Sequence, residues 1–324
     1  MTVRRVWSVI VLTAAAAALI TGVLSAQGPA RFPLPLEPIG DSGEAVFPVY
    51  EGWGEARDGS GYYIVLGYKN RNNRSVDVPI GPNNRIEPGG PDMGQPTTFE
   101  PGRRATQFAI KVPRDFGQKK LTWTIVANNQ TASITFYLNR EYNMSLYREE
   151  ANGNDPPQMK FAANAPMLIG PNVGFAQELT GVVNQPVPLK MWASDVAPTE
   201  KNWENIVSAQ NRPKSAPPAK DQIAIVGGQV LNAGGTARPS NSTPPPDITA
   251  VWSKYRGPGT VTIAPRGGVP LVTGGNPSTV AEAAATATFS ASGEYWLRAE
   301  PVEADDGFDG LCCFSFALVK VTVK

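Results

Sequence analysis

The stretch VWSKYRGPGTV, residues 251–261, decides the fold. It ends a run in which Ile248, Ala250 and Trp252 alternate toward one face, as they do in a strand with one side buried. Lys254, Tyr255 and Arg256 carry that run into a Gly257-Pro258-Gly259 turn, and TVTIAP leads out as a second β-branched run. A strand, a tight turn and a returning strand predict the wall of a β-sandwich rather than a binding or catalytic loop.

The pattern extends in both directions. In ATATFSASGEYWLRAEPV, residues 285–302, Phe289 ends one strand and Ser290 to Gly293 form a turn. Tyr295, Leu297 and Ala299 then alternate inward, which leaves Trp296 facing out. In LTGVVNQPVPLKMWASD, residues 179–195, Val187, Leu189 and Met191 share a face. The first half of the chain repeats the theme with AVFPVYEGWG, GYYIVLGYKN, SVDVPIG, ATQFAIKV, LTWTIVA and TASITFYL. EARDGS and VANNQTAS serve as hairpin connections there. Gly (32) and Pro (31) make up close to a fifth of the 324 residues, too much for a helical protein.

The expected architecture is therefore all-β, with two antiparallel β-sandwich domains. The first spans 45–140 and the second 166–324, joined by a linker at 141–165 with a helical turn around 146–150. A Pro-, Asn- and Ser-rich insertion at 196–247 interrupts the second, with a small hairpin expected in IAIVGGQVL around Gly227-Gly228.

Two resemblances sharpen this outline. GYKNRNNRSVDVPIGPNNRIEPGGPDMGQPTTFEPGRRATQFAIKV, followed by LTWTI, resembles a module of unassigned function in secreted bacterial proteins, over about residues 60–127. In it Gly and Pro fix turns, and Asn side chains bond turn backbone. VWSKYRGPGTVTI and ATATFSASGEYWLRA resemble immunoglobulin-like and PKD-like extracellular domains of bacterial secreted proteins. That resemblance implies that Trp252 packs between the sheets and that the Tyr295 hydroxyl bonds backbone at a corner. No Cys stands opposite Trp252, a departure from antibody-type domains.

The amino terminus carries Arg4 and Arg5, an apolar run from Val6 to about Leu24, and Ser25-Ala26. It reads as a secretory signal peptide, 1–26, either cleaved or retained as an anchor, followed by an extended Pro-rich leader at 27–44. No later stretch is long and apolar enough to span a bilayer. This places the protein outside the cytoplasm, extracellular or periplasmic and associated with the envelope.

Charge and chemistry narrow the function. Lys and Arg (29) nearly balance Asp and Glu (28), which gives no electrostatic grip on nucleic acid. The chain has no His, so neither a His general base nor a His-containing triad exists. Phosphate loops, dinucleotide motifs and zinc spacings are absent. The reading is a non-catalytic binding or structural module whose partner is a cell surface, a polysaccharide or a protein. The alternative is a carboxylate-based carbohydrate-active enzyme or its accessory carbohydrate-binding module. No cofactor is expected beyond calcium, for which Glu303, Asp305, Asp306 and Asp309 in EADDGFDG supply hard oxygen donors. The simpler reading of those residues is an acidic hairpin or strand connection. Trp53, Tyr62, Tyr63, Trp123, Trp192, Trp203 and Trp296 are candidates for a sugar-stacking face or, more simply, for core. The Asn-x-Ser/Thr sites at Asn73, Asn129, Asn143 and Asn241 read as unmodified.

GLCCFSFALVKVTVK, residues 310–324, is expected as the terminal strand, with adjacent Cys312 and Cys313 at its entrance. Phe314, Phe316 and Leu318 share one face, yet Val319, Val321 and Val323 share the other. Either both faces are covered, or a bulge around 317–319 rotates the strand; the bulge is the simpler expectation, with Phe314 and Phe316 in the core.

The composition of 196–247 leads to a first prediction. Such a segment buries too little apolar surface to offset the entropy of ordering it. Replacing it with a short Gly-Ser linker leaves a single cooperative urea transition. Loss of that transition would make the segment part of the core.

Overall fold

The computed structural model describes residues 43–148, 155–195, 224–226, 229–231, 248–271, 279–303 and 314–324. The signal peptide, nearly all of the leader, most of the insertion, Asp305, Asp306, Asp309, Cys312 and Cys313 lie outside the described residues. Among the described residues no helix is long and apolar enough to cross a membrane.

The amino-terminal half is a sandwich. Strands β1 (Val46–Glu55) and β2 (Gly61–Asn70) form a hairpin over EARDGS, where Asp58 accepts from the Ser60 N–H at 3.0 Å. Then come β3 (Val76–Asp77), β4 (Asn84–Glu87), β5 (Thr98–Phe99), β6 (Gly102–Pro113), β7 (Leu121–Ala127) and β8 (Gln130–Phe136). One sheet has the order β1-β2-β6 and the other β4-β7-β8, while β3 pairs with β5. β7 turns into β8 through Asn128 and Asn129, both at positive φ (51° and 61°), which suits the twist of a two-residue hairpin.

Between the sheets Ile64, Leu66, Phe108, Trp123 and Phe136 are buried, and Phe108 meets Trp123 edge to face at 5.0 Å. The Asn residues of the module act as struts. Asn84 is fully buried; its amide donates to the carbonyls of Val78 (3.0 Å) and Pro96 (2.8 Å), and its oxygen accepts from Trp123 Nε1 (3.0 Å). These bonds repay the burial of a polar side chain and fix two irregular segments to the core.

Residues 141–165 depart from a plain linker. The helical turn lies earlier, at Arg140–Tyr142, and the chain after it runs along β1. Met144 N donates to Trp53 O at 2.8 Å, Trp53 Nε1 donates to Asn139 O at 2.6 Å, and Leu146 is buried. Gly54 permits this: a Cβ there would stand 2.6 Å from Met144 O and from Leu146 Cγ. The same segment then contributes β9 (Gln158–Lys160) to the second sandwich.

That sandwich contains β10 (Pro171–Gly181), β11 (Pro186–Ser194), β14 (Ile248–Arg256), β15 (Val261–Ala264), β16 (Val269–Leu271), β17 (Ala281–Phe289), β18 (Gly293–Glu303) and β19 (Phe316–Val323). A separate hairpin, β12 (Ala224–Val226) with β13 (Gln229–Leu231), lies in the insertion where GG was read as its turn. One sheet runs β15-β17-β11-β9 and the other β10-β19-β18-β14-β16. In letters these contain D-E-B-A and G-F-C, the order of an immunoglobulin-type sandwich. One pairing is not antiparallel: β10 runs parallel to β19. Both sandwiches fall in one compact unit, Gly40–Lys324.

Trp252 sits where expected, 5 % exposed, in the core with Val187, Leu189, Met191 and Leu297. Tyr295 is fully buried; its hydroxyl donates to Ala291 O at 2.8 Å and accepts from Gly259 N at 3.1 Å. The Gly-Pro-Gly turn forms a bare floor for this ring, since a Cβ on Gly257 (φ +142°) would stand 2.2 Å from Tyr295 Cδ1.

The terminal strand corrects the expectation of a bulge. β19 pairs with β18 from Val323 to Ala317 without a register shift; the irregularities fall on the pairing with β10 instead. Ala317, Val319, Val321 and Val323 face the core of the second sandwich. Phe314, Phe316 and Leu318 are buried too, but against residues of the first sandwich. Both faces of the strand are covered, so nothing needs to rotate it.

Truncating Trp252 to Ala is expected to cost about 3–5 kcal/mol, the usual range for removing a large buried aromatic. Equilibrium urea unfolding measures it, and a loss under about 1 kcal/mol would contradict its burial.

Candidate ligand cleft at the sandwich interface

The outer face of the five-stranded sheet docks on the first sandwich. A register shift between Lys254 and Arg256 in the pairing with β18 makes Tyr255 the extra residue, and both Tyr255 and Arg256 reach the loop before β5. Tyr255 donates its hydroxyl to Gly94 O, and its carbonyl accepts from Thr97 N at 3.1 Å. Burial pushes this phenol far above its ordinary value, so it stays a neutral donor. Arg256 forks onto Asp92 with bonds of 2.9 and 2.8 Å and donates Nε to Gln95 O at 2.9 Å. Its guanidinium lies 3.9 Å from the Trp296 ring centre, and Phe175 meets that indole edge to face at 4.8 Å.

A second arginine crosses the seam. Arg298, 1 % exposed, donates Nε to Gln107 O (3.1 Å) and Nη2 to Thr106 O (3.0 Å), and it pairs with Glu300. The carbonyls are available because β6 is irregular there. Its pairing with β2 slips between Leu66 and Tyr68, and Thr106 takes φ +48°, a strained value for a β-branched residue. On the opposite side of this bulge the Thr106 N–H reaches Glu51, a carboxylate that burial pushes up and Arg103 pulls back through two contacts of 2.6 Å.

Beside the seam runs a cleft of about 620 Å³. Its walls are apolar: Met93, Ile110, Val112, Phe116 and Leu121 from the first sandwich, and Val173 from the second. Three lysines, Lys111, Lys119 and Lys120, stand among its lining residues, and no carboxylate does. A smaller recess of about 140 Å³ shares Met93, Ala109 and Val173 with it and ends at Tyr255, Trp296 and Phe316. Val173 and Phe175 are 57 % and 36 % exposed, large apolar side chains on the bulged start of an edge strand. A concave apolar site with a few polar groups at its rim is the usual form of a small-molecule site.

The candidates from sequence scatter. Trp123 is core, Trp53 and Tyr62 pack edge to face at 5.3 Å, Tyr63 lies under Lys111, and Trp192 lies beside Lys190 on β11. Trp203 lies outside the described residues. Among the described members of the set only Trp296 reaches the recess, so those form no common face. Glu303 closes β18 opposite Ile248, with its three proposed calcium partners beyond the described residues. Among the described residues no three acidic or thiol side chains gather. Sequence reading missed Asp92, Arg256 and Arg298. The signal for Arg298 was present: Trp296, Arg298 and Glu300 alternate outward opposite the core residues of β18.

Comparison with known proteins adds little. No family model matches the chain, and no curated protein matches it. Among solved structures it is similar to domains 4 and 5 of the S-layer protein SbsC, at 9 % identity and a TM-score of 0.22, over 86 % of this chain and 98 % of that one.

Arg256 holds the Asp92 carboxyl below its ordinary value of 3.8, against a smaller opposing effect of burial. A carboxylate with a lower pKa folded than unfolded stabilises fully above the unfolded value, and that contribution is lost as pH falls through the folded one. Thermal unfolding measured from neutral pH into acid tests this. Asp92→Asn starts with a lower Tm at neutral pH and then loses less than wild type below about pH 4. Parallel curves would show that the pair adds no stability.

Proposed function

We propose that this is a non-catalytic binding module exported to the cell envelope or beyond, in which two sandwiches are locked together so that the cleft between them can hold a ligand. One observation carries the reading. Arg256 pairs with Asp92 across the seam and Arg298 bonds two carbonyls across it, while the apolar cleft next to them stays open and keeps Val173 and Phe175 in solvent. Exposed apolar side chains grouped around a concavity oppose solubility and are retained where something binds. The interlock adds rigidity, and a cleft whose walls cannot part binds with less loss of entropy. The secretory reading of residues 1–26 supports the location.

An array of glycans, cell-wall fragments and lipids tests the proposal, using residues 27–324 with calcium and with chelator. A doubly substituted protein, Val173→Gln with Lys119→Glu, serves as the cleft variant; both positions are exposed and leave the core intact. Wild type retains a ligand without turning it over, and the variant loses it. Turnover of the ligand, or full retention by the variant, would overturn the reading.

A further inference from the structure

The cleft has a direction. At one end the recess is closed by the rings of Tyr255, Trp296 and Phe316. In the middle Met93, Ala109 and Val173 line both volumes. At the other end Phe116 and Leu121 bracket Lys119 and Lys120, which are exposed. Apolar surface thus runs toward one end, and the lysine residues stand at the other.

The three lysines are not equivalent. Lys111 is drawn off by Asp58 at 3.3 Å and lies over the Tyr63 ring. Lys120 lies 5.2 Å from the Tyr137 ring centre, an interaction that leaves its charge uncompensated. Lys119 shows no carboxylate partner among the described residues. Two cations beside an apolar slot that contains no acid match a ligand with an anionic head and an apolar tail.

We infer that the cleft takes a single-chain anionic amphiphile, a long-chain fatty acid, with its carboxylate at Lys119 and Lys120 and its tail running past Val173 toward Trp296. This rests on the cleft being the binding site and goes further by naming the ligand's chemistry. A volume of about 620 Å³ lies within the usual range of roughly 300–1,000 Å³ for small-molecule sites. A head contact at an exposed rim adds modestly, because solvent and salt screen it. The tail supplies most of the affinity through burial of methylenes.

Calorimetric titration of the chain with the sodium salts from octanoate to palmitate, each below its micelle concentration, tests the inference. One molecule binds per chain, and affinity rises about fourfold per methylene until the slot is full, then levels off. Dodecyltrimethylammonium, with the tail of laurate and a cationic head, binds about tenfold more weakly or worse. Lys119→Glu with Lys120→Glu reverses that preference, and Val173→Gln weakens both amphiphiles. Many molecules bound per chain, no levelling with length, indifference to head charge, or no binding would each overturn the inference. If the array yields a ligand that the cleft variant loses and laurate does not displace, the fatty acid is wrong and the cleft stands. If nothing the protein binds responds to the cleft variant, both fall.

Discussion

Two guanidinium groups on the outer face of one sheet set the conditions for the rest of the molecule. Arg256 and Arg298 sit on strands whose other face is a sealed hydrophobic core, and neither is left in water. A buried guanidinium without partners is untenable, and its planar fork demands oxygens at fixed positions. Glu300 on the same strand supplies one of them to Arg298, and the rest come from Asp92, Gln95, Thr106 and Gln107, all in the first sandwich. The relative placement of the two sandwiches is therefore held by directional bonds as well as by apolar contact. Thr106 carries backbone strain to present its carbonyl, strain that the surrounding bonds must over-determine.

Much of the fold could be read from periodicity. The strands around Trp252, Tyr295, Leu189 and Phe108 followed the two-residue alternation of their apolar side chains, and their turns followed Gly, Pro, Asn and Asp. What failed was local in origin. Alternation reports which residues are buried, but not against what. In β19 the phase change between Leu318 and Val319 was visible, yet a strand with two covered faces and a strand with a bulge leave the same trace. Only the position of the other sandwich, a long-range fact, separates them.

The site was harder still to see. A cleft between two bodies has no sequence motif, because its walls come from Met93, Phe116 and Val173, which ordinary strand and turn patterns absorb as core or edge residues. The aromatics that stood out in the sequence mostly serve packing, since large rings fill space between sheets wherever a sandwich must be thick. The mark of the site appears only in the fold. Exposed Val173 and Phe175 lie on a strand start that breaks register with its neighbour, where pairing gives way to shape.

The double coverage of β19 bears on how the chain is made. A polypeptide emerging from its amino terminus presents the eight strands of the first sandwich well before this one. Yet Leu318 belongs to the core of that early half, and Val319, its neighbour, to the core of the later half. Neither core is whole until the last of the described strands arrives and is inserted between them. A chain lacking β19 therefore exposes two unfinished apolar surfaces at once and is open to degradation from both halves.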